Sequence, residues 1–354
     1  MQLTDLHLFV DHRGATKPPQ EQRTATRRAT RLAGPLANEL AHAGPRDVGN
    51  LLRLVPQAVE SEVQWIDGAG PVIVVQTGDV EAYGQLGTEP FQGFDFLQET
   101  LYPRLRDAGV AHIIDLFGNH DVWPGTWPLF RPIGQMGAVR RLADDGHMPP
   151  PLPRLVEISD DLSFVLVNTV WAAGLMGALR GGVCGSGRVT GHLPGAELPL
   201  SAATDPLGEI RAIGAPQAGA LRVALMHHPP HMFDNHILQA LTTCALDDAD
   251  ELCAALNDIK VSLVLAGHRH RIFPPPDSSV DGRDDRHLPL WPGSIQITSG
   301  SPTVGDPSHR GISILRLQRD EAEDVVHIER RIVASGANDR NRVDPFLVRN
   351  LPLP

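Results

Sequence analysis

Lysine is nearly missing from this 354-residue chain, where Lys17 and Lys260 are the only two. Acidic residues outnumber Lys and Arg by 42 to 31, and the formal charge at pH 7 is -11. That balance argues against a general nucleic-acid binder, whose affinity rests on a basic face. It leaves room for a small anionic substrate, because bound cations would reverse the local field. Cysteine is scarce too. Cys184, Cys244 and Cys253 form no CxxC pair, so they read as free buried thiols in a reducing cytoplasm, and a cytoplasmic location is expected. No apolar run reaches membrane-spanning length, and the start lacks a basic-then-apolar signal pattern, so no membrane partner is expected. GxGxxG is absent as well. The glycine-rich stretch Gly181–Gly187 therefore reads as a flexible loop and not as a dinucleotide cradle.

What the chain does have is a series of short apolar runs that end in polar residues. The runs at 72–75, 110–117, 162–167, 221–226 and 261–266 read as buried strands. Helical spacing occupies 46–66, about 93–108 and about 235–257, and antiparallel strands are expected at 295–298, 311–317 and 324–333. Strand–helix alternation followed by strands argues a layered α/β domain with two sheets and helices outside. One domain is expected over 1–335, with long insertions at about 10–45 and 122–215, and an extended tail over 336–354.

Five of the strand ends carry metal-type ligands: Asp5-x-His7, Gly78-Asp79, Gly118-Asn119-His120-Asp121, His227-His228 and Gly267-His268-Arg269-His270. Residues i and i+2 of an extended chain share a face. Asp5 and His7 can therefore grip one ion together, and His268 and His270 can each meet one of two adjacent ions. Glycine before Asp79, Asn119 and His268 permits a sharp exit from the strand. Imidazoles with carboxylates and one amide oxygen suit Zn, Mn or Fe. Two such ions about 3.5–4 Å apart form the arrangement used to hydrolyse phosphates. Each block alone has a plainer reading, as a turn or a surface pair. Their joint occurrence in this order, all at strand ends, makes coincidence a poor explanation.

The series D-x-H, G-D, G-N-H-D, H-H-P, G-H-x-H resembles the calcineurin-like metallophosphoesterase superfamily. Ser299-Gly300-Ser301-Pro302-Thr303 before a hairpin is similar to the branch holding class III cyclic-nucleotide phosphodiesterases. The resemblance implies a four-layer αββα sandwich, with two mixed β-sheets flanked by helices and a dinuclear centre of divalent or trivalent transition ions. It implies that Asp5, His7 and His270 hold one metal, that Asn119, His227 and His268 hold the other, and that Asp79 bridges. A hydroxide between the metals would attack phosphorus in a phosphodiester. His120 would stand by the leaving oxygen, and Asp121 would either orient it or cap a helix. His228 reads as a neighbour of the ligands. His231 is either a substrate contact or a loop residue. The implied partner is a small phosphorylated substrate such as a nucleotide, and a homo-oligomer is compatible with the sequence.

Three departures from the family pattern stand out. Ala82 occupies the place where purple acid phosphatases carry an iron-binding tyrosine, so no tyrosinate band is expected. The gap from His7 to Asp79 is long. Little strand precedes Asp5, so either the first strand is short or the true start lies upstream. Alternatives on the same metal centre are a phosphomonoesterase and a nucleotide pyrophosphohydrolase. A non-catalytic scaffold of the same fold, as in retromer, would be expected to have lost ligands, and none is missing here.

Overall fold

The computed structural model describes residues 1–4, 6, 45–80, 92–118, 121, 152–170, 189, 205–230, 246, 248–268, 290–302, 311–320, 322, 324–333 and 349–353. Their strands, in chain order, are β1 (Gln2–Leu3), β2 (Val72–Thr77), β3 (Val110–Leu116), β4 (Arg154–Ser159), β5 (Leu162–Leu166), β6 (Leu221–Met226), β7 (Leu263–Ala266), β8 (Ile295–Thr298), β9 (Ile312–Asp320), β10 (Val325–Val333) and β11 (Arg349–Pro352). They form a six-stranded sheet in the order β11-β10-β9-β1-β2-β3 and a five-stranded sheet in the order β4-β5-β6-β7-β8. Both sheets are mixed. β1, β2 and β3 run parallel, as do β5 through β8. The remaining pairings are antiparallel.

Three apolar layers hold the sandwich together. Between the sheets lie Val75, Ile114, Phe164, Val223, Leu225, Leu265, Ile297 and Ile328. Outside the first sheet, Leu51, Val55 and Val59 of the helix Pro45–Ile66 pack with Leu101 and Leu105 of the helical segment 92–107. Outside the second sheet, Ile210 of the helix Pro206–Ala212 and Leu252, Ala255 and Leu256 of the helix Ala249–Asp258 cover Ala224, Met226 and Val264. The order helix, sheet, sheet, helix is the expected four-layer αββα sandwich. β5 through β7 are buried on both faces, which is why they read as continuous apolar runs and not as alternating ones.

Several expectations change in detail. β1 is central in its sheet: Gln2 pairs with Val75 on one side and Ser313 on the other. The insertion expected over about 122–215 contains β4, paired antiparallel with β5. The loop expected up to 215 contains the helix Pro206–Ala212, whose N-cap Asp205 accepts from the Gly208 N–H. The chain end is a sheet strand, because β11 pairs with β10. The helix at 92–107 widens into a π segment over Leu97–Leu101. Pro103 follows after Tyr102; it has no N–H to donate and its ring crowds the preceding turn. The part of the expected helix before Ala249, apart from Leu246 and Asp248, lies outside the described residues, and so do the tail residues 336–348. No helix among the described residues is long and apolar enough to cross a membrane.

Candidate metal centre

Parallel strands β2 and β3 of one sheet and β6 and β7 of the other end at the same edge of the sandwich. The C-terminal edge of parallel strands is where α/β folds deliver functional groups. β2 delivers Asp79, β3 delivers Gly118, β6 delivers His227 and His228, and β7 delivers His268. Asp79 and His228 are 0% exposed, His227 is 1% and His268 is 7%. Burying this many polar groups in one place is costly unless they are paired or hold a cation.

Two glycines let the strand ends close on His227. A Cβ at Gly118 would lie 2.0 Å from Asp79 Oδ1 and 2.6 Å from His227 Cε1. A Cβ at Gly78, whose φ is 106°, would lie 2.5 Å from His227 Nδ1. The sequence logic of glycine before the ligand thus has a second cause besides backbone freedom, namely the approach of a ring from the opposite sheet. Asp79 and His268 both adopt positive φ, 58° and 70°. Non-glycine residues held there store about 1–3 kcal/mol each, and such strain collects at functional sites.

The partners of each group define its role. His227 Nδ1 stands 2.8 Å from the Thr77 carbonyl oxygen. A carbonyl can only accept, so Nδ1 carries the hydrogen and Nε2 carries a lone pair. That Nε2 is 3.1 Å from His268 Nδ1 and 3.3 Å from Asp79 Oδ2. Donors sharing one cation at about 2.0–2.1 Å, with angles near 90–110°, stand roughly 2.8–3.4 Å apart. His268 Nδ1 and Asp79 Oδ2 thus each stand at such a spacing from His227 Nε2, and the N/N/O chemistry is of the kind a transition ion takes. His228 joins the same group, with ring nitrogens of all three histidines inside 4.8 Å.

Asp121 is fully buried and its Oδ2 accepts from two backbone amides, Gly118 N at 2.7 Å and Asp79 N at 2.9 Å. The reach back over three residues is the carboxylate half of a capping box. The cross-strand bond is an addition to it that fastens the β2 end to the β3 end. Below the site Gln76 braces Gly78 in both directions, Nε2 to the carbonyl at 2.8 Å and Oε1 from the N–H at 3.0 Å. Gln2 Nε2 crosses between the sheets to the Ala266 carbonyl at 2.8 Å. Farther down β3, burial pushes the Asp115 carboxyl up to about 6, although the hydrogen bond from the Tyr102 hydroxyl and the Arg106 charge favour its ionised form.

Of the residues singled out from the sequence, Asp79, Asp121, His227, His228 and His268 are brought together. Asp5, His7, Asn119, His120, His231 and His270 lie outside the described residues. Thr169, Gln76 and Gln2 were not singled out. Thr169 could have been, because Asn168-Thr169 follows β5 as polar residues at the same kind of strand end. A cavity of about 780 Å³ also opens between the sheets, lined by Ile73, Phe164, Val223 and Leu263 and by Trp65 at the far end of the sandwich. It is mainly apolar and contains none of the five site residues, so the chemistry is placed at the strand ends.

The sequence profile of calcineurin-like phosphoesterases matches residues 1–271. The chain belongs to that family. Membership carries the coarse activity with it, metal-dependent hydrolysis of phosphoesters, and the buried His227, His228 and His268 group supplies donors of the right kind. No curated protein matches the phosphoesterase chain. Among solved structures, the calcineurin-like phosphoesterase YfkN from Bacillus subtilis is 12% identical with a TM-score of 0.39, covering 97% of this chain and 92% of that one. The sulfate thiohydrolase SoxB of Thermus thermophilus, in complex with glycerol, is 14% identical with a TM-score of 0.36. This phosphoesterase spans 57% of that chain's length. At these TM-scores neither alignment bears on the site.

Proposed function

We propose that the protein is a phosphodiesterase with a dinuclear metal centre, acting on a small phosphorylated substrate such as a nucleotide. The observation that carries this reading is the approach of His268 Nδ1 at 3.1 Å and Asp79 Oδ2 at 3.3 Å to His227 Nε2 at the facing ends of two sheets, in a member of a phosphoesterase family. On this reading Asn119, His227 and His268 would hold one ion, Asp5, His7 and His270 would hold the other, and Asp79 would serve both. When bound, the ions supply Lewis acidity and a hydroxide at neutral pH.

The chain's own residues do the rest. The Thr77 carbonyl fixes the His227 tautomer, so its lone pair faces the centre before any cation arrives. Asp121 holds the Asp79 and Gly118 backbones in register. His120 would give a proton to the departing oxygen, as a histidine of suitable pKa can. Burial of the donor set excludes water and strengthens each of these interactions. The acidic balance favours a small substrate over nucleic acid.

The test is hydrolysis of bis(p-nitrophenyl) phosphate and of p-nitrophenyl phosphate by the Mn-loaded chain. The reading expects the diester to be the better substrate by kcat/KM, with activity lost in Asp79→Asn. Preference for the monoester would replace it with the phosphomonoesterase alternative.

A further inference from the structure

His227 and His228 are neighbours in sequence, both buried, yet their partners dictate opposite tautomers. His227 Nδ1 faces a carbonyl and must donate. His228 Nδ1 faces the Thr169 hydroxyl at 2.9 Å. That same hydroxyl already accepts the His228 backbone N–H at 3.1 Å. Thr169 is 1% exposed, and a buried hydroxyl must still place its own hydrogen. Among the described residues the acceptor within reach is His228 Nδ1. The hydroxyl therefore donates to Nδ1, and the ring proton of His228 sits on Nε2. A protonated nitrogen cannot ligate a cation, but it can donate to an anion. The ring is in the right place to do so: its centroid lies 4.3 Å from that of His268 and 5.0 Å from that of His227.

We infer that His228 is no metal ligand but an Nε2–H donor to a non-bridging oxygen of the bound phosphoryl group, with Thr169 as the positioning residue that sets its tautomer. The inference rests on the phosphoesterase reading, because the anion it serves is the substrate of that site. It separates the three clustered histidines into two that bind the cation and one that binds the anion.

The full chain carries the test in three measurements. Mn affinity, measured by calorimetry, should be unchanged in His228→Ala and in Thr169→Val, whereas His227→Ala should lose it. Inorganic phosphate should bind the Mn-loaded His228→Ala about ten- to a hundred-fold more weakly than the wild type, the range for a hydrogen bond to a charged group. His228→Gln, which keeps an N–H near the Nε2 position, should recover most of that loss. Thr169→Val should show a smaller loss that Thr169→Ser restores. Nitrogen-15 spectra of the metal-free chain should show His228 protonated at Nε2. An Nδ1-protonated His228, Mn lost in His228→Ala, or phosphate affinity unchanged in that variant would each overturn the inference. A wild-type chain that takes up no Mn would sink the phosphoesterase reading instead, while the nitrogen-15 spectrum would still decide the tautomer.

Discussion

The two sheets bring different chemistry to the same edge. The first sheet contributes carboxylates, Asp79 after β2 and Asp121 after β3. The second contributes imidazoles, His227 and His228 after β6 and His268 after β7. The oxygen side is built on backbone. Its turns need glycine at 78 and 118, and the Asp121 carboxylate ties two main-chain amides together. The imidazole side is built on side-chain partners, with a carbonyl behind His227 and a hydroxyl behind His228. Errors on the oxygen side should therefore move the chain itself, and errors on the imidazole side should change which atom carries a proton.

The largest effect on the metal site should come from Gly118→Ala. The new Cβ meets the Asp79 backbone nitrogen at 2.3 Å and its Oδ1 at 2.0 Å, and the neighbours are a turn and a ring with no flexible end to yield. Overpacking of this kind costs about 1–3 kcal/mol. Here the strain falls on a ligand, so Mn retention measured by elemental analysis should be lost while the chain stays folded. Retained Mn would show that the oxygen side is more pliant than described. Asp121→Ala should come next. It strips the shared acceptor from two buried amides, and unsatisfied donors cost about 1–3 kcal/mol each. Urea unfolding should show a loss of that order, with Asp121→Asn recovering part of it because an amide oxygen still accepts.

The smallest effect concerns pH and the foot of the oxygen side. Asp115 has its carboxyl raised from 3.8 to about 6 by burial. The stability that its neutral form supports is complete below pH 3.8 and is lost as pH rises through 6. Asp115→Asn keeps an acceptor for the Tyr102 hydroxyl and has nothing to ionise. It should be more stable than the wild type at pH 8 by about 1 kcal/mol, with the two converging near pH 4. A wild type that gains stability between pH 4 and pH 8 relative to the variant would reverse the assigned direction.

Much of this was legible in the residues. Strands such as Val72–Thr77 and Leu221–Met226 are apolar runs buried on both faces, and each ends in glycine or polar groups, so both the element and its functional end show locally. The four-layer sandwich followed from the family resemblance and from strand–helix alternation. Sheet order did not show, because two-residue β1 sits centrally only through pairing with Val75 and Ser313, far away in sequence. β4 and β11 hid among prolines, since an edge position tolerates a residue that cannot donate. Asp121 read equally well as orienter or cap, and only the fold shows its second amide, 42 residues away. Thr169 offered only a polar strand end to the sequence; its role shows in the fold, where His228 reaches it from the neighbouring strand β6.

The central claim is that Asp79, His227 and His268 grip one cation between the two sheets. A crystal of the Mn-loaded chain, measured at the manganese edge, tests it most directly. The account predicts an anomalous peak roughly 2.0–2.2 Å from a carboxylate oxygen of Asp79 and from one ring nitrogen each of His227 and His268, with His228 outside that shell. A peak ligated by His228, or Mn bound only away from Asp79, would contradict it.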